Sequence, residues 1–453
     1  MQFKLTREYV DHLQEFIKEK RDKEVVELLG ELHPADIAEI MDELSMEEAR
    51  YIYLLLDGQK ASDVLVEIPE DDRKEFLEVL PGEIIARQFI DYMDSDDATD
   101  VMGEMTEKKR EEVLSYVKDV EQAGDIVDLL QYDEDTAGGM MATELVKVNE
   151  NWTVQICLRE ISKQAEDVDE IYYVYVVDDD DFLKGILSLK KLILNPTSTR
   201  ISNLYNPDVI SVRTDVPDEE VAMVLTKYDL VALPVVDEIG RLKGRITFDD
   251  VLHVIREEAD KDYQLATGIT QDVEVSDSAW IQIKARLPWL LIGLLGGILG
   301  ARVIGGFEGE LAAFPAMAFF IPLIGAMGGN VGVQSSSIIV RGIASNSLLM
   351  SSVSSKLVKE LGVALFNAVI CSSLVLLYNT VNAASYALTL SVSTALFSVI
   401  ISASLFGTFI PIMLHKMKID PALATGPFIT TTNDIFGLLI YMGIGRLMFS
   451  LFS

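Results

Sequence analysis

Five long apolar runs occupy the C-terminal part of the chain, at about 288–305, 314–341, 358–380, 386–414 and 422–447. A helix that crosses a bilayer takes roughly 17–25 mainly apolar residues, and every one of these runs is long enough. Inside lipid the backbone must satisfy its own hydrogen bonds, so these runs can fold only as helices. Lys284 and Arg286 precede the first run; Arg341, Lys356 and Lys359 separate the second from the third; His415, Lys416 and Lys418 separate the fourth from the fifth. The other two connections, GGFEGEL and YNTVNAAS, carry no Lys or Arg. Positive residues mark the cytoplasmic side, so the alternation predicts five spans with the N-terminal part inside and the C-terminus outside. Arg302 and Arg446 fall at outer ends, where their long side chains are expected to snorkel to water.

Charge divides the chain at the same place. Of its 38 Lys/Arg and 72 Asp/Glu, only nine and five lie from Lys284 onward, which leaves 29 and 67 ahead of it. So acidic a body repels nucleic acid and suits cations; simple solubility is the other meaning of such a charge. Cys157 and Cys371 lie in different regions with no metal-ligand or redox spacing. The opening MQFKLTREYVDHLQEFIKEK is charged and amphipathic, unlike a secretory signal, so the acidic part is expected to stay in the cytoplasm.

Within that acidic part the sequence repeats. Val176, Val177, Asp178, Leu183, Lys184 and Gly185 recur at one constant spacing as Val235, Val236, Asp237, Leu242, Lys243 and Gly244. The pattern reads as strand, acidic turn, strand, helix. It resembles a tandem pair of CBS domains, two βαββα modules packed together. The general nucleotide pattern of that family sets a Ser/Thr three residues before an Asp. Thr247 and Asp250 keep this spacing, whereas Ser188 is followed by Lys191. Thr247 and Ser188 are thus weak candidates for an adenine-nucleotide site; helix capping is the alternative for Thr247. Upstream, residues 1–134 are helical in pattern. There Asp63, Val64, Glu67 and Arg73 recur, again at one constant spacing, as Asp100, Val101, Glu104 and Arg110, with a looser copy beginning at Asp36 and Ile37. Short helices in repeats suggest a small superhelical bundle.

Two polar features stand out in the spans. Asp434, in FITTTNDIFGLLIYM, is a carboxylate well inside the fifth run. Such a group costs at least a few kcal/mol in lipid and usually faces a polar cavity; a protonated Asp bonded to a neighbouring helix is the alternative. Thr430, Thr431, Thr432 and Asn433 precede it, so one helix face is expected to present several oxygens to a hydrated cation. The second feature is PLIGAMGGNVGVQSSSIIVRG, from Pro322 to Gly342. Its glycines at 325, 328, 329 and 332 permit close helix approach. Asn330, Gln334 and Ser335 to Ser337 add oxygens that packing alone does not require, so the segment, with Gly329 and Asn330 at its centre, is expected to line a pore. Asp420 precedes Pro421 where the fifth run begins; it could attract cations at the inner mouth or cap a helix. Small Mg²⁺, which keeps several waters and uses one or two carboxylates, suits a site built on a single acid.

Pro322 with GGN at 328–330, the run DPALATGP, NDIFGLLIY around Asp434, and the domain order together resemble the MgtE family of magnesium channels over nearly the whole chain. The resemblance implies an acidic helical N domain (1–134), CBS domains at 135–200 and 201–262, a connecting "plug" helix (263–284) and an all-α membrane domain of five helices (285–453). It further implies a homodimer in the plasma membrane with a pore between subunits, Asp434 as the site for hydrated Mg²⁺, and closure by cytosolic Mg²⁺ held between the N domain, the CBS pair and the connecting helix. By motif position the sensing roles fall on Asp96, Asp100, Glu219, Asp229, Asp250, Glu258 and Asp262; His253 stands where the family often has another acid. ATP is a candidate modulator. Two other functions remain open: a broader Mg²⁺/Co²⁺/Ni²⁺ transporter, and a membrane-anchored CBS nucleotide sensor. No nucleophile with a base, P-loop or dinucleotide fingerprint marks an enzyme.

Overall fold

The computed structural model describes residues 4–165, 168, 170–270, 273, 278–344, 353–382, 384–424 and 426–452. They form two compact units, Met1–Ile255 and Arg256–Ser453.

The first unit opens with short helices: α1 (Arg7–Lys18), α2 (Asp22–Gly30), α3 (Pro34–Asp42), α4 (Met46–Tyr53), α5 (Gly58–Val66), α6 (Glu70–Glu78), α7 (Gly82–Gln88), α8 (Ser95–Gly103), α9 (Glu107–Leu114) and α10 (Val120–Leu129). The helical repeat makes α8 the counterpart of α5, and α9 that of α6. Val64 and Val101 are both fully buried in one core. Arg73 donates from Nη1 to the Val66 carbonyl at 3.2 Å, and Arg110 from Nη2 to the equivalent Gly103 carbonyl at 3.2 Å. Each arginine therefore satisfies a carbonyl left over at the C-terminal end of the preceding helix. Arg73 also pairs with Glu104 of the next repeat, both side chains largely buried.

The second repeat is a pair of βαββα modules. The first holds β1 (Val146–Asn149), α11 (Val154–Gln164), β2 (Val174–Val177), β3 (Leu183–Leu187) and α12 (Leu189–Leu194). The second holds β4 (Val212–Arg213), α13 (Asp218–Tyr228), β5 (Ala232–Val236), β6 (Leu242–Thr247) and α14 (Phe248–Thr267). In each, the first strand pairs parallel with the second, which pairs antiparallel with the third. The repeated aspartates are turn formers: Asp178 Oδ1 accepts from the amides of Asp180 and Phe182, and Asp237 Oδ1 from those of Ile239 and Arg241. The repeated glycines admit a passing backbone. A methyl group on Gly185 would fall 2.1 Å from the Asn206 carbonyl oxygen, and one on Gly244 2.6 Å from that of Ala142. Gly185→Ala and Gly244→Ala are each expected to destabilise the protein by about 1–3 kcal/mol through overpacking. A lowered melting temperature of the purified full chain checks this, and an unchanged one would contradict it.

In the second unit, α15 (Ala279–Gly305), α17 (Ile321–Ala344), α18 (Val353–Val381), α19 (Tyr386–Lys416) and α20 (Gly426–Phe452) are the helices, and the short α16 (Glu308–Ala313) follows α15. Five candidate spans match the five apolar runs. Of these, α19 is the most buried; its hidden residues combine large ones such as Leu396 and Ile400 with small ones such as Ser391, Ala395, Ala403 and Gly407. Arg446, expected to snorkel, pairs with Glu310 of α16. The expected single connecting helix over 263–284 is not formed. α14 stops at Thr267, followed by Gly268 at φ +88, and α15 begins at Ala279. A left-handed glycine just past a helix is the usual stop signal. Residues 271, 272 and 274–277 of that stretch lie outside the described residues.

Candidate functional site

In the first unit the segment from Ala142 to Glu144 ties two elements together, β6 and α8. Ala142 and Arg245 of β6 exchange backbone hydrogen bonds of 2.9 Å in both directions. Two residues on, Glu144 accepts from the amide and hydroxyl of Ser95, the first residue of α8, while the Thr143 amide donates to Ser95 Oγ at 2.8 Å. The N-terminus of α8 is thereby held beside the C-terminal end of β6. The result is a cavity of about 450 Å³ lined by Asp94, Asp96 and Asp97 on one side and Thr247, Asp249 and Asp250 on the other.

Electrostatics in this cavity are strained in one direction. Desolvation, with Asp250 and Asp94 adding to it, pushes the Asp97 carboxyl up to about 7. Asp96 is raised well above the ordinary carboxylate range by desolvation and then by Asp97 and Asp250. Desolvation also raises Asp250, against the amide and hydroxyl of Thr247, which donate to it at 2.9 and 2.8 Å. Among the described residues no three acidic, Cys or His side chains converge into an all-protein metal cage. A cation here would keep water and bridge the two walls, as hydrated Mg²⁺ does. These acids bind more protons in the packed state than when apart, so stability without cations falls as pH rises from about 4 to about 7. With a chelator present, the melting temperature is expected to be higher at pH 5 than at pH 7.5, with Mg²⁺ at pH 7.5 recovering the loss. Equal melting at the two pH values would contradict this.

The other acids singled out from sequence do not join the cavity. Asp100 lies one turn along α8; the bulk around it and then Asp97 raise its carboxyl, yet the residue is exposed and reaches water. Glu219 and Asp229 are exposed at opposite ends of α13, about 15 Å apart at 1.5 Å per residue. Glu258 and Asp262 belong to the second unit. There desolvation raises the Asp262 carboxyl, with Asp420 and Glu258 adding to the effect. Asp420 Oδ1 also accepts from the Ala422 amide at 2.8 Å, so it caps the short 3₁₀ turn Pro421–Ala424. Thr247 is buried with its hydroxyl bonded to Asp249 and Asp250, whereas Ser188 is exposed at the start of α12. Sequence reasoning missed Arg245. It is 6% exposed, lines the acidic cavity, donates to the Glu170 carbonyl at 2.8 Å, and lies against the Tyr172 ring. The pattern R-x-T-x-x-D placed it there, two residues before Thr247 and on the same face of β6.

In the second unit, Asp434 on α20 faces the glycines of α17. Methyl groups on Gly325 and Gly329 would stand 3.5 and 3.8 Å from Asp434 Oδ1, and one on Gly332 would fall 1.8 Å from Asn433 Nδ2. The spacing 325, 329, 332 is one helix face. Asp434 is half-buried, and among the described residues no hydrogen bond or ion pair reaches its carboxylate. The alternative of a protonated Asp bonded to a neighbouring helix therefore has no partner among them. Asn433 is 2% exposed, and neither atom of its amide has a hydrogen-bond partner among the described residues.

The expected single face of oxygens is corrected. Consecutive helical residues are 100° apart, and the four before Asp434 point in different directions. Thr430, one turn back, packs on Gly329 and donates to the Gly426 carbonyl at 2.9 Å; Thr431 packs against Gly296 of α15. Gly329 lies on the Asp434 face, whereas Asn330, the next residue, is exposed on the surface of the chain. Sequence reasoning also passed over Glu360 of α18, which accepts from Ser335 of α17 and Ser404 of α19.

Comparisons with known proteins agree with this architecture. Residues 321–444 match the family model described as divalent cation transporter, residues 32–135 the MgtE intracellular N domain, and residues 137–196 and 201–257 the CBS domain. The chain is 36% identical over 440 residues to a protein named magnesium transporter MgtE from Thermus thermophilus, covering 96% of this chain and 97% of that one. It is 36% identical over 442 residues to the protein of that name from Enterococcus faecalis, with 97% of each covered. Among solved structures, it resembles the soluble part of a magnesium transporter (TM-score 0.50, 33% identity, 56% of this chain and 98% of that one). It also resembles the cytosolic domain of the Mg²⁺ channel MgtE in complex with ATP (TM-score 0.51, 38% identity, 54% of this chain and 99% of that one). With two relatives matched over nearly their whole length, and with N domain, CBS pair and five candidate spans in the order found here, the chain belongs to the MgtE family.

Proposed function

We propose that this protein is a Mg²⁺-selective channel that imports magnesium across the plasma membrane and is closed by cytosolic Mg²⁺. The observation that carries the reading is Asp434: a half-buried carboxylate in the fifth candidate span, set against a glycine face, with no protein partner among the described residues. Mg²⁺ binds such a carboxylate through its inner waters. Asn433, whose buried amide offers a donor and an acceptor beside it, serves that hydration shell. In a homodimer the exposed Asn330 and the backbone at Gly329 line the path from both subunits, and Asp420 with Asp262 concentrates cations at the inner mouth. The protein sits with its N-terminal domains in the cytoplasm and its C-terminus outside. A divalent ion entering down an inward-negative potential gains about 4.6 kcal/mol per 100 mV, twice the single-charge value.

Closure belongs to the acids. Asp96 and Asp250, with Asp97 lining the same cavity, attract Mg²⁺ when it is plentiful, and the bridging ion favours the packed arrangement of N domain and CBS pair. Asp100, Glu219, Asp229, Glu258 and Asp262 supply further sensing sites, Asp250, Glu258 and Asp262 all on α14. Feedback requires only that Mg²⁺ bind the closed state more tightly than the open one. ATP acts as a modulator through the CBS pair, with Thr247 nearer to nucleotide chemistry than the exposed Ser188; the ATP-bound cytosolic domain of the related channel supports this. Because the membrane model is described as a divalent cation transporter, a broader Mg²⁺/Co²⁺/Ni²⁺ transporter is the second reading. Influx into proteoliposomes loaded with a Mg²⁺-sensitive dye separates them. Mg²⁺ entry unaffected by equimolar Co²⁺ or Ni²⁺ is expected; strong competition would favour the second reading, and no Mg²⁺ entry would overturn both.

A further inference from the structure

Glu360 lies two turns into α18, inside a candidate span, where a carboxylate is a functional group by default. One of its oxygens, Oε1, accepts from two hydroxyls: Ser335 Oγ of α17 at 2.7 Å and Ser404 Oγ of α19. The two hydroxyls also touch each other at 3.0 Å, and their residues are 5% and 2% exposed. Three helices are thus pinned at one point. One turn away on α19, Gly407 lies so close to α17 that a methyl group on it would fall 2.4 Å from the Gly332 carbonyl oxygen. Gly332 is the glycine that packs on Asn433, beside Asp434. Ser335 therefore sits three residues beyond the ion-facing stripe of Gly325, Gly329 and Gly332. A slip of one residue, about 100° of rotation, would replace that stripe with the side chains next to it.

We propose that Glu360 is a positioning residue for ion conduction: its carboxylate clasps Ser335 and Ser404 and fixes the rotation of α17, so that glycines, not side chains, face Asp434. This rests on the transport reading above. The role asks for a hydrogen-bond acceptor, not for a charge, and a glutamine supplies one. The test is Mg²⁺ influx into proteoliposomes by wild type, Glu360→Ala, Glu360→Gln and the double variant Ser335→Ala/Ser404→Ala. An active wild type separates failure of this proposal from failure of the transport reading. Glu360→Ala leaves two buried hydroxyls without their acceptor and is expected to lower maximal influx about 10-fold. Glu360→Gln is expected to recover influx to within about 3-fold of wild type, because its carbonyl accepts the same bonds. The double serine variant, which keeps the carboxylate, falls in the same direction as Glu360→Ala. Influx in Glu360→Gln as low as in Glu360→Ala, or unchanged influx in the double serine variant, would overturn the proposal.

Discussion

Replacing Asp96, Asp100 and Asp250 together by Asn leaves Mg²⁺ influx running at internal Mg²⁺ concentrations that close the wild type. The half-inhibiting concentration is expected to rise at least about 10-fold, since each carboxylate removed from a shared divalent site weakens it by an order of magnitude or more. The cavity supplies the reason. Asp97 is pushed up to about 7 by desolvation and by its neighbours, so ionised acids oppose the packing of the two walls at neutral pH, and a cation between them would offset that. The same geometry ranks the residues. Asp97→Asn/Asp250→Asn should shift inhibition nearly as far as the triple variant, because both line the cavity. Asp100→Asn alone should shift it by less than about 2-fold, because that side chain reaches water and solvent screens it. Inhibition unchanged in the triple variant would remove the sensing role from this cavity.

Asp434→Asn and Asp434→Ala are expected to reduce Mg²⁺ influx at least about 30-fold. A hydrogen bond from an ion's bound water to a carboxylate is charge-assisted and contributes about 1.5–3 kcal/mol, and the proposed dimer would lose two such acceptors. Asn keeps the size of the side chain and its fit near Gly325 and Gly329, so a loss in Asn as large as in Ala assigns the effect to charge. Dye-reported influx measures both variants, and rates within 2-fold of wild type would sink the pore assignment.

Much of this fold is legible in the chain because it is repetitive or extreme. Five apolar runs bounded by alternating positive charge specify the spans, and two internal repeats, each at its own constant spacing, specify the soluble modules. Asp178 and Asp237 show the limit of that approach: they recur for a backbone turn, not for ions. Sites drawn from distant segments are harder to read. Asp96 and Asp250 are brought together by Ser95, Glu144, Ala142 and Arg245, and only the last announces itself near Thr247. Nothing local pairs Glu360 with Ser335 and Ser404, since their contact depends on the rotation of three helices. A row of four polar residues before Asp434 looked like one face until helical geometry spread it around the axis. Gly268 likewise interrupts the connecting helix that the family resemblance implied over 263–284.

Magnesium, on this reading, closes its own entry path from inside. Wild-type protein in proteoliposomes, with Mg²⁺ outside and the soluble domains facing a lumen either free of Mg²⁺ or preloaded with it, tests this most directly; a second isotope of magnesium reports entry in both. Rapid entry into the empty lumen, and entry slowed at least about 10-fold into the preloaded one at matched driving force, is the predicted result. Equal entry into both would contradict it.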